Sequence, residues 1–371
     1  MPQKRHRRNV LRVILVAELV VAMVTAATVV FAYSHLDGNI EELPTIEHLV
    51  AAPEPASAGG GDGPKMPINI LVMGSDTRDG AGNDIDGKAG GGARSDTTML
   101  LHVSADRKTA YGVSLARDTV VDRPACKVDG KVIPGADDVL FNDAFSVGGP
   151  LCTVQQVEDI TGVYIDHTVV VDFNGFKDMV DAVHGVEVCI PQDVDDTAHG
   201  IVLDAGRRLV SGQEALNYVR ERHVLSANSD IGRMKRQQAF VASMIARVTS
   251  ANTLTNPRSL YSFLDAATDS IQLDKDLASL GKVYDLSREL KDIDLKHIMF
   301  ATVPIEAYPE NPLVSLQFAP GAQDLWKEIR KDQPLGRFAK GSISADDKVG
   351  DVDDEADTDV ERERQANGLC A

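Results

Sequence analysis

The chain has 371 residues, of which 43% are hydrophobic, and its formal net charge is −18. This hydrophobic content is ordinary for a globular protein, and the length allows one large domain or two small ones. Because nucleic-acid binding depends on neutralising phosphates with Lys and Arg, the acidic balance argues against a nucleic-acid partner. An anion site would therefore need a local cluster of basic side chains.

The N-terminal 33 residues predict a membrane anchor. An apolar run, Ile14–Tyr33, follows a basic segment and contains one charge, Glu18. A helix of this length spans about 30 Å, the thickness of the hydrocarbon layer. We predict a cytoplasmic segment over 1–12 and a single-pass signal anchor over 13–33, with the remainder outside the cytoplasm, because cations favour the inner side. A cleaved signal peptide is the alternative, since Ala22–Ala27 contains small residues.

The rest of the chain divides into a connecting segment, a folded domain and a tail. Residues 34–67 are predicted to be a juxtamembrane segment followed by a flexible linker rich in Pro, Gly and Ala. Residues 68–335 are predicted to form the extracytoplasmic domain. The acidic composition of residues 336–371 predicts a disordered tail.

Strands and helices alternate along the predicted domain. The predicted strands are 68–74, 97–104, 109–116, 167–173, 185–190 and 297–305, and the predicted helices are 150–160, 176–183, 211–220, 230–248 and 322–331. A capping box, Ser211 to Glu214, opens one helix. This alternation predicts a layered α/β domain.

The chain has four cysteines, and an oxidising compartment permits disulfides between them. We favour a disulfide between Cys126 and Cys152, while Cys189 has no assigned partner and Cys370 falls in the predicted tail. The spacing has no zinc signature.

Four segments place charges at the ends of apolar elements. They are Gly74–Arg78, Arg94–Thr97, Ser114–Thr119, and Tyr218–Arg222 together with Asp230–Gln238. Asp76 ends the first strand and Asp96 begins the second, so neighbouring strands would bring two carboxylates to one sheet edge. A few oxygen ligands with room for phosphate oxygens describe a Mg²⁺ site.

Basic residues at strand and helix ends supply the other half of an anion site. They are Arg94, Arg117, Arg220, Arg222 and Arg233, with Gln237 one turn beyond Arg233. Guanidinium groups bind phosphate oxygens in pairs, and helix N-termini favour anions. Together with the carboxylates, these residues predict a pyrophosphate site.

Each feature also has a plainer interpretation. Arg117 and Asp118 could be a structural ion pair, Asp230 only a helix cap, and Arg220 to Arg222 a solvated helix end.

These segments, in this order behind one membrane helix, resemble the LytR–CpsA–Psr family of cell-wall glycopolymer transferases. The resemblance runs from Ile68 to about Ser250, and more loosely to Leu335. It extends to Phe141-Asn-Asp-Ala-Phe145, Gly148-Gly-Pro150, Ile165-Asp-His-Thr168, Val171-Asp-Phe173, Gly185-Val-Glu-Val188 and Gly212-Gln-Glu-Ala-Leu216.

The resemblance implies an α/β fold with a mixed central β-sheet sandwiched by helices, and a hydrophobic pocket for a polyprenyl chain. It implies Mg²⁺ or Mn²⁺ held by Asp76 and Asp96. The implied pyrophosphate-binding residues are Arg94, Arg117, Arg220, Arg222, Arg233 and Gln237. A lysine that many relatives place before Asn142 is missing here, and Arg123, Lys127 or Lys131 could replace it.

The implied reaction is transfer of a glycan from a polyprenyl-pyrophosphate carrier to a sugar hydroxyl of peptidoglycan. Asp118 or Asp230 could accept the hydroxyl proton, and the residues assigned to catalysis are Arg94, Arg117, Asp118, Arg220, Arg222 and Asp230. Such phosphoryl transfer relies on positioning and charge neutralisation. The alternatives are a prenyl-pyrophosphate phosphohydrolase and a non-enzymatic wall-binding or regulatory protein.

Overall fold

The computed structural model describes residues 3–53, 65–75, 95–226, 229–250, 256–347, 349 and 358–370. The helices in these ranges are α1 Gln3–Asn39, α2 Asp143–Thr161, α3 Phe173–Ala182, α4 Gly212–Arg220, α5 Ser229–Thr249, α6 Pro257–Ser270, α7 Leu280–Leu290, α8 Gly321–Arg330 and α9 Thr358–Ala366. Short 3₁₀ turns cover Thr197–His199, Leu295–His297 and Gly336–Ala339.

The strands begin at β1 Glu41–Glu42 and end at β18 Ile343–Ser344. Those between are β2 Ile68–Ser75, β3 Ser95–Val103, β4 Ala110–Leu115, β5 Val120–Arg123, β6 Cys126–Val128, β7 Lys131–Ile133, β8 Ala136–Leu140, β9 His167–Asp172, β10 Val186–Ile190, β11 Val194–Asp196, β12 Ile201–Leu203, β13 Gly206–Val210, β14 Ile271–Leu273, β15 Ile298–Thr302, β16 Ile305–Ala307 and β17 Leu316–Phe318.

The central sheet has eight strands in the order β1-β14-β9-β2-β3-β4-β15-β18. Strand β2 is parallel to β9, and β4 is parallel to β15, whereas β3 runs antiparallel to both of its neighbours. The sheet is therefore mixed, as the resemblance implies.

Helices cover both faces of this sheet. Neighbouring residues of a strand point to opposite faces, so Met99 and Leu100 belong to different apolar clusters. Leu100 packs in the cluster that contains Val154 of α2 and Trp326 of α8, while Met99 packs in the cluster that contains Ala242 of α5. The predicted arrangement of a sheet sandwiched by helices is confirmed.

Two disulfides link distant parts of the fold. Cys126–Cys152 joins β6 to α2, which confirms the favoured pairing. Cys189–Cys370 joins β10 to the residues after α9, across a sequence separation of 181.

The prediction of a disordered tail after residue 335 is wrong for the described part of that segment. Strand β18 pairs with β15, and Ile343, Ala345 and Leu369 are buried in one apolar cluster. Cys370 anchors the same segment to Cys189. These few apolar residues are enough to order the segment, because they pack against the edge of a sheet that is already formed. The folded domain therefore extends beyond residue 335.

The juxtamembrane segment also belongs to the domain, contrary to its predicted role as a connector. Helix α1 continues to Asn39, and β1 pairs with β14. Leu36 and Leu43 are each 4% exposed. The Glu158 carboxylate accepts the Leu49 N–H at 2.7 Å, which fixes the segment after β1. Residues 54–64 of the predicted linker lie outside the described residues.

One helix of the described chain, Arg12–Asn39, is long and apolar enough to cross a membrane by length and composition. It covers the whole of the predicted anchor, residues 13–33, and extends six residues past the predicted end. Its C-terminal turns contact the domain, because the Asn39 side chain donates to Asp265 at 3.3 Å and Asp37 accepts the Leu280 N–H at 2.8 Å.

Candidate active site

The topology brings several strand ends to one edge of the sheet. Strands β2, β4 and β9 end at this edge, and the antiparallel β3 begins there, with Ser95 opposite Ser75. Asp96 therefore lies beside the residues that follow β4, namely Arg117 and Asp118. Helix α5 begins nearby and adds Asp230 and Arg233.

Six of these side chains form what we call the ion-pair network: Asp96, Arg117, Asp118, Arg222, Asp230 and Arg233. Arg117 pairs closely with Asp96 and lies 3.3 Å from Asp118. The Arg222 guanidinium lies 3.0 Å from an Asp230 oxygen and 3.6 Å from an Asp118 oxygen. The network thus joins the sheet edge to the segment after α4 and to the start of α5.

Arg233 is the most enclosed member of the network, being 3% exposed. It lies 3.2 Å from Asp230 and 3.8 Å from Asp96. Burial and the nearby charge of Arg117 lower the pKa of Arg233 to about 10, so it stays cationic at neutral pH. Its Nε atom, like that of Arg222, is buried without a hydrogen-bond partner among the described residues.

Asp118 and Asp230 both lie against the Arg222 guanidinium, and their carboxyl groups hydrogen-bond to each other. Burial, followed by the hydrogen bond with Asp230, raises the pKa of Asp118 to about 6. Burial acts in the same direction on Asp230, but the hydrogen bond with Asp118 and the charges of Arg233 and Arg222 lower its pKa. Asp118 is therefore the member that holds a proton in weakly acidic solution.

A cavity of about 270 Å³ opens beside the network. Its lining residues are Asp96, Thr97, Phe173, His199, Ile201, Val219, Arg220, Arg222, His223, Arg233 and Gln237. The Arg220 guanidinium lies 5.3 Å from the centre of the Phe173 ring, in a cation–π contact. Gln237 donates to the Val219 carbonyl at 3.3 Å, which holds its amide at the cavity wall.

The size and lining of the cavity suit a compact charged group. Phe173, Ile201 and Val219 supply an apolar patch, but a cavity of about 270 Å³ is near the lower end of the range for small-molecule sites. It can hold a pyrophosphate with its adjoining atoms, not the whole of the polyprenyl chain for which the resemblance implies a pocket.

A buried pair behind the cavity fixes the segment that carries Arg222. Glu221 and Arg236 are both fully buried and lie 3.2 Å apart. The Glu221 carboxylate accepts the Val224 N–H at 2.6 Å and the Leu225 N–H at 3.2 Å. Glu221 is therefore a structural residue, although its place between two arginines suggests a solvated helix end.

A second glutamine fixes helix α5 against the sheet. The Gln238 amide donates to Ser114 Oγ and to the Ala301 carbonyl, each at 2.9 Å, and to Thr302 Oγ1 at 3.0 Å. These contacts tie α5 to the ends of β4 and β15, close to Arg233. The apolar spacing of α5 predicts the helix but not this role.

Most of the predicted site residues come together. The network and the cavity include Asp96, Arg117, Asp118, Arg220, Arg222, Asp230, Arg233 and Gln237. Asp76 and Arg94 lie outside the described residues. Arg220 and Arg222 both line the cavity.

The candidates for the missing lysine lie elsewhere. Arg123 is 2.9 Å from Asp143, and Lys127 is 3.0 Å from Glu47. Lys131 is exposed on β7. None of them lines the described cavity, so the structure assigns no replacement for that contact.

The sequence interpretation missed two histidines in the cavity wall. His199 and His223 are 24 positions apart and follow no recognised spacing, so the sequence alone offers no signal for them. Both contact the carboxylate of Asp196.

Sequence comparison establishes the family of this protein. A model described as the LytR_cpsA_psr family matches residues 47–331, which is most of the chain. The protein therefore belongs to the LytR_cpsA_psr family.

Several relatives are known by name. The cell wall biosynthesis protein LcpA of Corynebacterium glutamicum is 34% identical over 263 residues, covering 64% of this chain and 50% of LcpA. The polyisoprenyl-teichoic acid–peptidoglycan teichoic acid transferase TagU of Enterococcus faecalis is 32% identical over 219 residues, covering 59% of this chain and 65% of TagU. The matched region thus spans between half and two thirds of these two relatives.

Solved structures share the fold. The structure titled "TagT bound to LI-WTA" has a TM-score of 0.56 at 23% identity and covers 80% of this chain and 99% of that one. The LytR-Csp2A-Psr enzyme from Actinomyces oris has a TM-score of 0.56 at 20% identity and covers 80% and 98%. These similarities independently confirm the mixed sheet with flanking helices.

Proposed function

We propose that this protein is a membrane-anchored phosphotransferase that moves a glycan from a polyprenyl-pyrophosphate carrier to peptidoglycan. One observation carries the proposal: three arginines, Arg220, Arg222 and Arg233, line one cavity together with Asp96 in an otherwise acidic protein. Guanidinium groups bind phosphate oxygens in pairs, so this lining suits a pyrophosphate. The name of the relative TagU, a polyisoprenyl-teichoic acid–peptidoglycan teichoic acid transferase, supports a polyisoprenyl-linked substrate and a peptidoglycan acceptor.

The proposed reaction is a substitution at phosphorus. A hydroxyl oxygen of the acceptor sugar attacks the phosphorus on the glycan side of the pyrophosphate. The bond from that phosphorus to the bridging oxygen breaks, and polyprenyl phosphate leaves with that oxygen. Arg220, Arg222 and Arg233 line the cavity, where their charges would stabilise the negative charge of the transition state.

We assign the hydroxyl proton to Asp118, whose carboxylate lies 3.6 Å from the guanidinium of Arg222, a residue that lines the cavity. A catalytic base works best when its pKa is near the operating pH, and the pKa of Asp118 is raised to about 6. Its partner Asp230, whose pKa is lowered, would remain ionised and orient Arg222 and Arg233.

We also propose that Asp96 binds Mg²⁺ or Mn²⁺, with Asp76 as a second ligand. The Asp96 carboxylate lines the cavity, and its strand is paired with the strand that ends immediately before Asp76. Carboxylate oxygens suit this class of cation, which supplies positive charge to the pyrophosphate when bound. In the absence of the cation, the guanidinium of Arg117 would balance the negative charge of the Asp96 carboxylate.

The apolar helix and the disulfides support the proposed location. Helix α1 would hold the chain in the cell membrane with its basic N-terminus in the cytoplasm. The domain would then lie outside, where peptidoglycan is found. Two disulfides, Cys126–Cys152 and Cys189–Cys370, fit this placement because such bonds persist in oxidising compartments.

The function can be tested with full-length protein, a carrier-linked glycan and purified peptidoglycan in the presence of Mg²⁺. We expect release of polyprenyl phosphate together with attachment of the glycan to the wall material, and loss of both in EDTA. Release without attachment would favour the phosphohydrolase, and no release would favour a binding or regulatory protein. Full turnover in EDTA would refute the metal assignment.

Arg222→Ala should lower turnover about 10- to 100-fold. The substitution removes a charge-assisted contact to phosphate, which is worth about 1.5–3 kcal/mol. The melting temperature should change little, because Arg222 is 29% exposed. Its partners also keep other ion pairs, Asp118 with Arg117 and Asp230 with Arg233. Arg337→Ala, which removes an exposed guanidinium paired with Asp324, is the control. Unchanged turnover in a folded Arg222→Ala protein would contradict the assignment.

The rate of transfer should rise with pH through about 6 and then level off. Below that pH the raised pKa of Asp118 leaves its carboxyl protonated, so it cannot accept the hydroxyl proton. Asp118→Asn should react slowly and lose this rise. A pH–rate profile at saturating substrate measures the effect, and the same rise in the Asn variant would assign the titration to another group.

A further inference from the structure

A separate cluster of side chains lies at the rim of the cavity, which we call the histidine cluster: Asp196, His199 and His223. Asp196 ends β11, and His199 lies in the 3₁₀ turn that leads to β12. His223 comes from the segment after α4. Both histidines line the cavity, but neither belongs to the ion-pair network.

Two imidazoles converge on one carboxylate in this cluster. The Nδ1 atom of His199 lies 2.8 Å from one Asp196 oxygen and 2.9 Å from the other, and the Nδ1 atom of His223 lies 3.0 Å from that second oxygen. The two rings stack with their centroids 4.4 Å apart. One ligand atom from each of the three residues can be chosen so that all lie within 4.8 Å of one another.

The carboxylate is held in place, whereas the imidazoles can adjust. Asp196 is 9% exposed and pairs with Ile201 in the β11–β12 ladder. Val194, Ile201 and Leu203 are buried in an apolar cluster, which fixes this hairpin. The side chains of His199 and His223 are 57% and 54% exposed, so solvent and ions reach them.

The backbone of the third ligand is also fixed. The N–H of His223 donates to the carboxylate of Glu221, which is itself paired with the buried Arg236. The two histidines therefore come from separate segments that the fold holds beside one another. Neither contact depends on a bound cation.

Two imidazole nitrogens and one carboxylate oxygen form a ligand set that Zn²⁺ uses widely. Bonds of about 2.0–2.1 Å in a tetrahedral arrangement place the ligand atoms about 3.3–3.4 Å apart. To the one Asp196 oxygen that both histidines approach, the nitrogen-to-oxygen separations are 2.9 and 3.0 Å, so each needs to widen by a few tenths of an ångström. Rotation of the exposed rings supplies this change. Mg²⁺ prefers oxygen ligands and matches this set poorly.

We propose that Asp196, His199 and His223 form a binding site for one Zn²⁺ ion or a transition-metal cation of similar softness. The site is distinct from the proposed Mg²⁺ position at Asp96. With three protein ligands, the ion keeps a coordination position for water or for an oxygen of a bound molecule. It would add positive charge to the wall of the cavity that holds Arg220 and Arg222.

Zinc binding can be measured directly by calorimetry on the full-length protein in detergent, prepared with an affinity tag that lacks histidine and in excess Mg²⁺. We expect one Zn²⁺ per chain that Mg²⁺ does not displace. Asp196→Asn and His223→Gln, which retain size and hydrogen-bonding capacity, should each weaken binding at least 10-fold. His297→Gln changes an exposed histidine outside the cluster and should bind as the unaltered protein does.

The outcomes separate this site from the proposed reaction. Failure to bind one Zn²⁺, or equal binding by the Asp196→Asn and His223→Gln proteins with unchanged melting curves, would overturn the zinc site whatever the transfer assay shows. If His223→Gln melts early, His199→Gln provides the same test at a residue whose side chain is 57% exposed. Zinc binding without glycan transfer would overturn the proposed function alone.

Discussion

Glu221→Ala should lower the free energy of unfolding by about 3–5 kcal/mol, the cost of leaving one charge of a buried pair without its partner. Glu221 and Arg236 are both fully buried, and Arg236 would lose its carboxylate while remaining enclosed. The N–H groups of Val224 and Leu225 would also lose their acceptor. Turnover should fall too, because the altered segment carries Arg222.

Urea unfolding measures this effect. Glu214→Ala is a matched control, since it removes a partly exposed carboxylate that pairs with Arg208. A double variant, Glu221→Leu with Arg236→Met, should be less destabilised than Glu221→Ala because it leaves no isolated charge. A loss below about 1 kcal/mol in Glu221→Ala would show that the pair is not enclosed as described.

Replacing Cys189 and Cys370 by Ser should destabilise the protein more than replacing Cys126 and Cys152. A cross-link stabilises mainly by restricting the unfolded chain, and the effect grows with the length of the closed loop. For sequence separations of 181 and 26, the chain-entropy relation gives about 5 and about 3.5 kcal/mol, respectively.

The comparison needs non-reducing urea unfolding of both double variants, so that the remaining disulfide is intact in each. The variant without Cys189–Cys370 should also release the segment around β18, which would appear as early proteolysis near Ile343. Equal losses in the two variants, or no loss from removing Cys189–Cys370, would contradict a structural role for the longer cross-link.

Much of the central fold could be predicted because its strands carry strong local signals. The apolar run 68–74 and the helix 230–248 are observed as Ile68–Ser75 and Ser229–Thr249. Asp96 and Arg233 were predicted from the charged ends of these elements, and both line the cavity. The capping box was only half right, because Ser211 occupies the N-cap position but makes no side-chain cap bond.

The features that the sequence did not predict depend on contacts between distant segments. Nothing in the sequence around Cys370 indicates its pairing with Cys189. The acidic residues around Ile343 predict disorder, and the strand there forms only by pairing with β15. The burial of Glu221 likewise depends on Arg236 of the next helix. His199 and His223 become neighbours only through the β11–β12 hairpin.

Under the proposed membrane anchoring, the continuity of helix α1 with the domain would limit how the domain is oriented relative to the bilayer. Contacts of His35, Asp37 and Asn39 with α6 and α7 make the upper turns of the helix part of the folded body. An α-helix turns about 100° and rises about 1.5 Å per residue. One residue inserted after Tyr33 would therefore rotate the whole domain by about 100° around the axis of α1. The number of residues in α1 would therefore set the direction in which the cavity faces, which a flexible linker could not do.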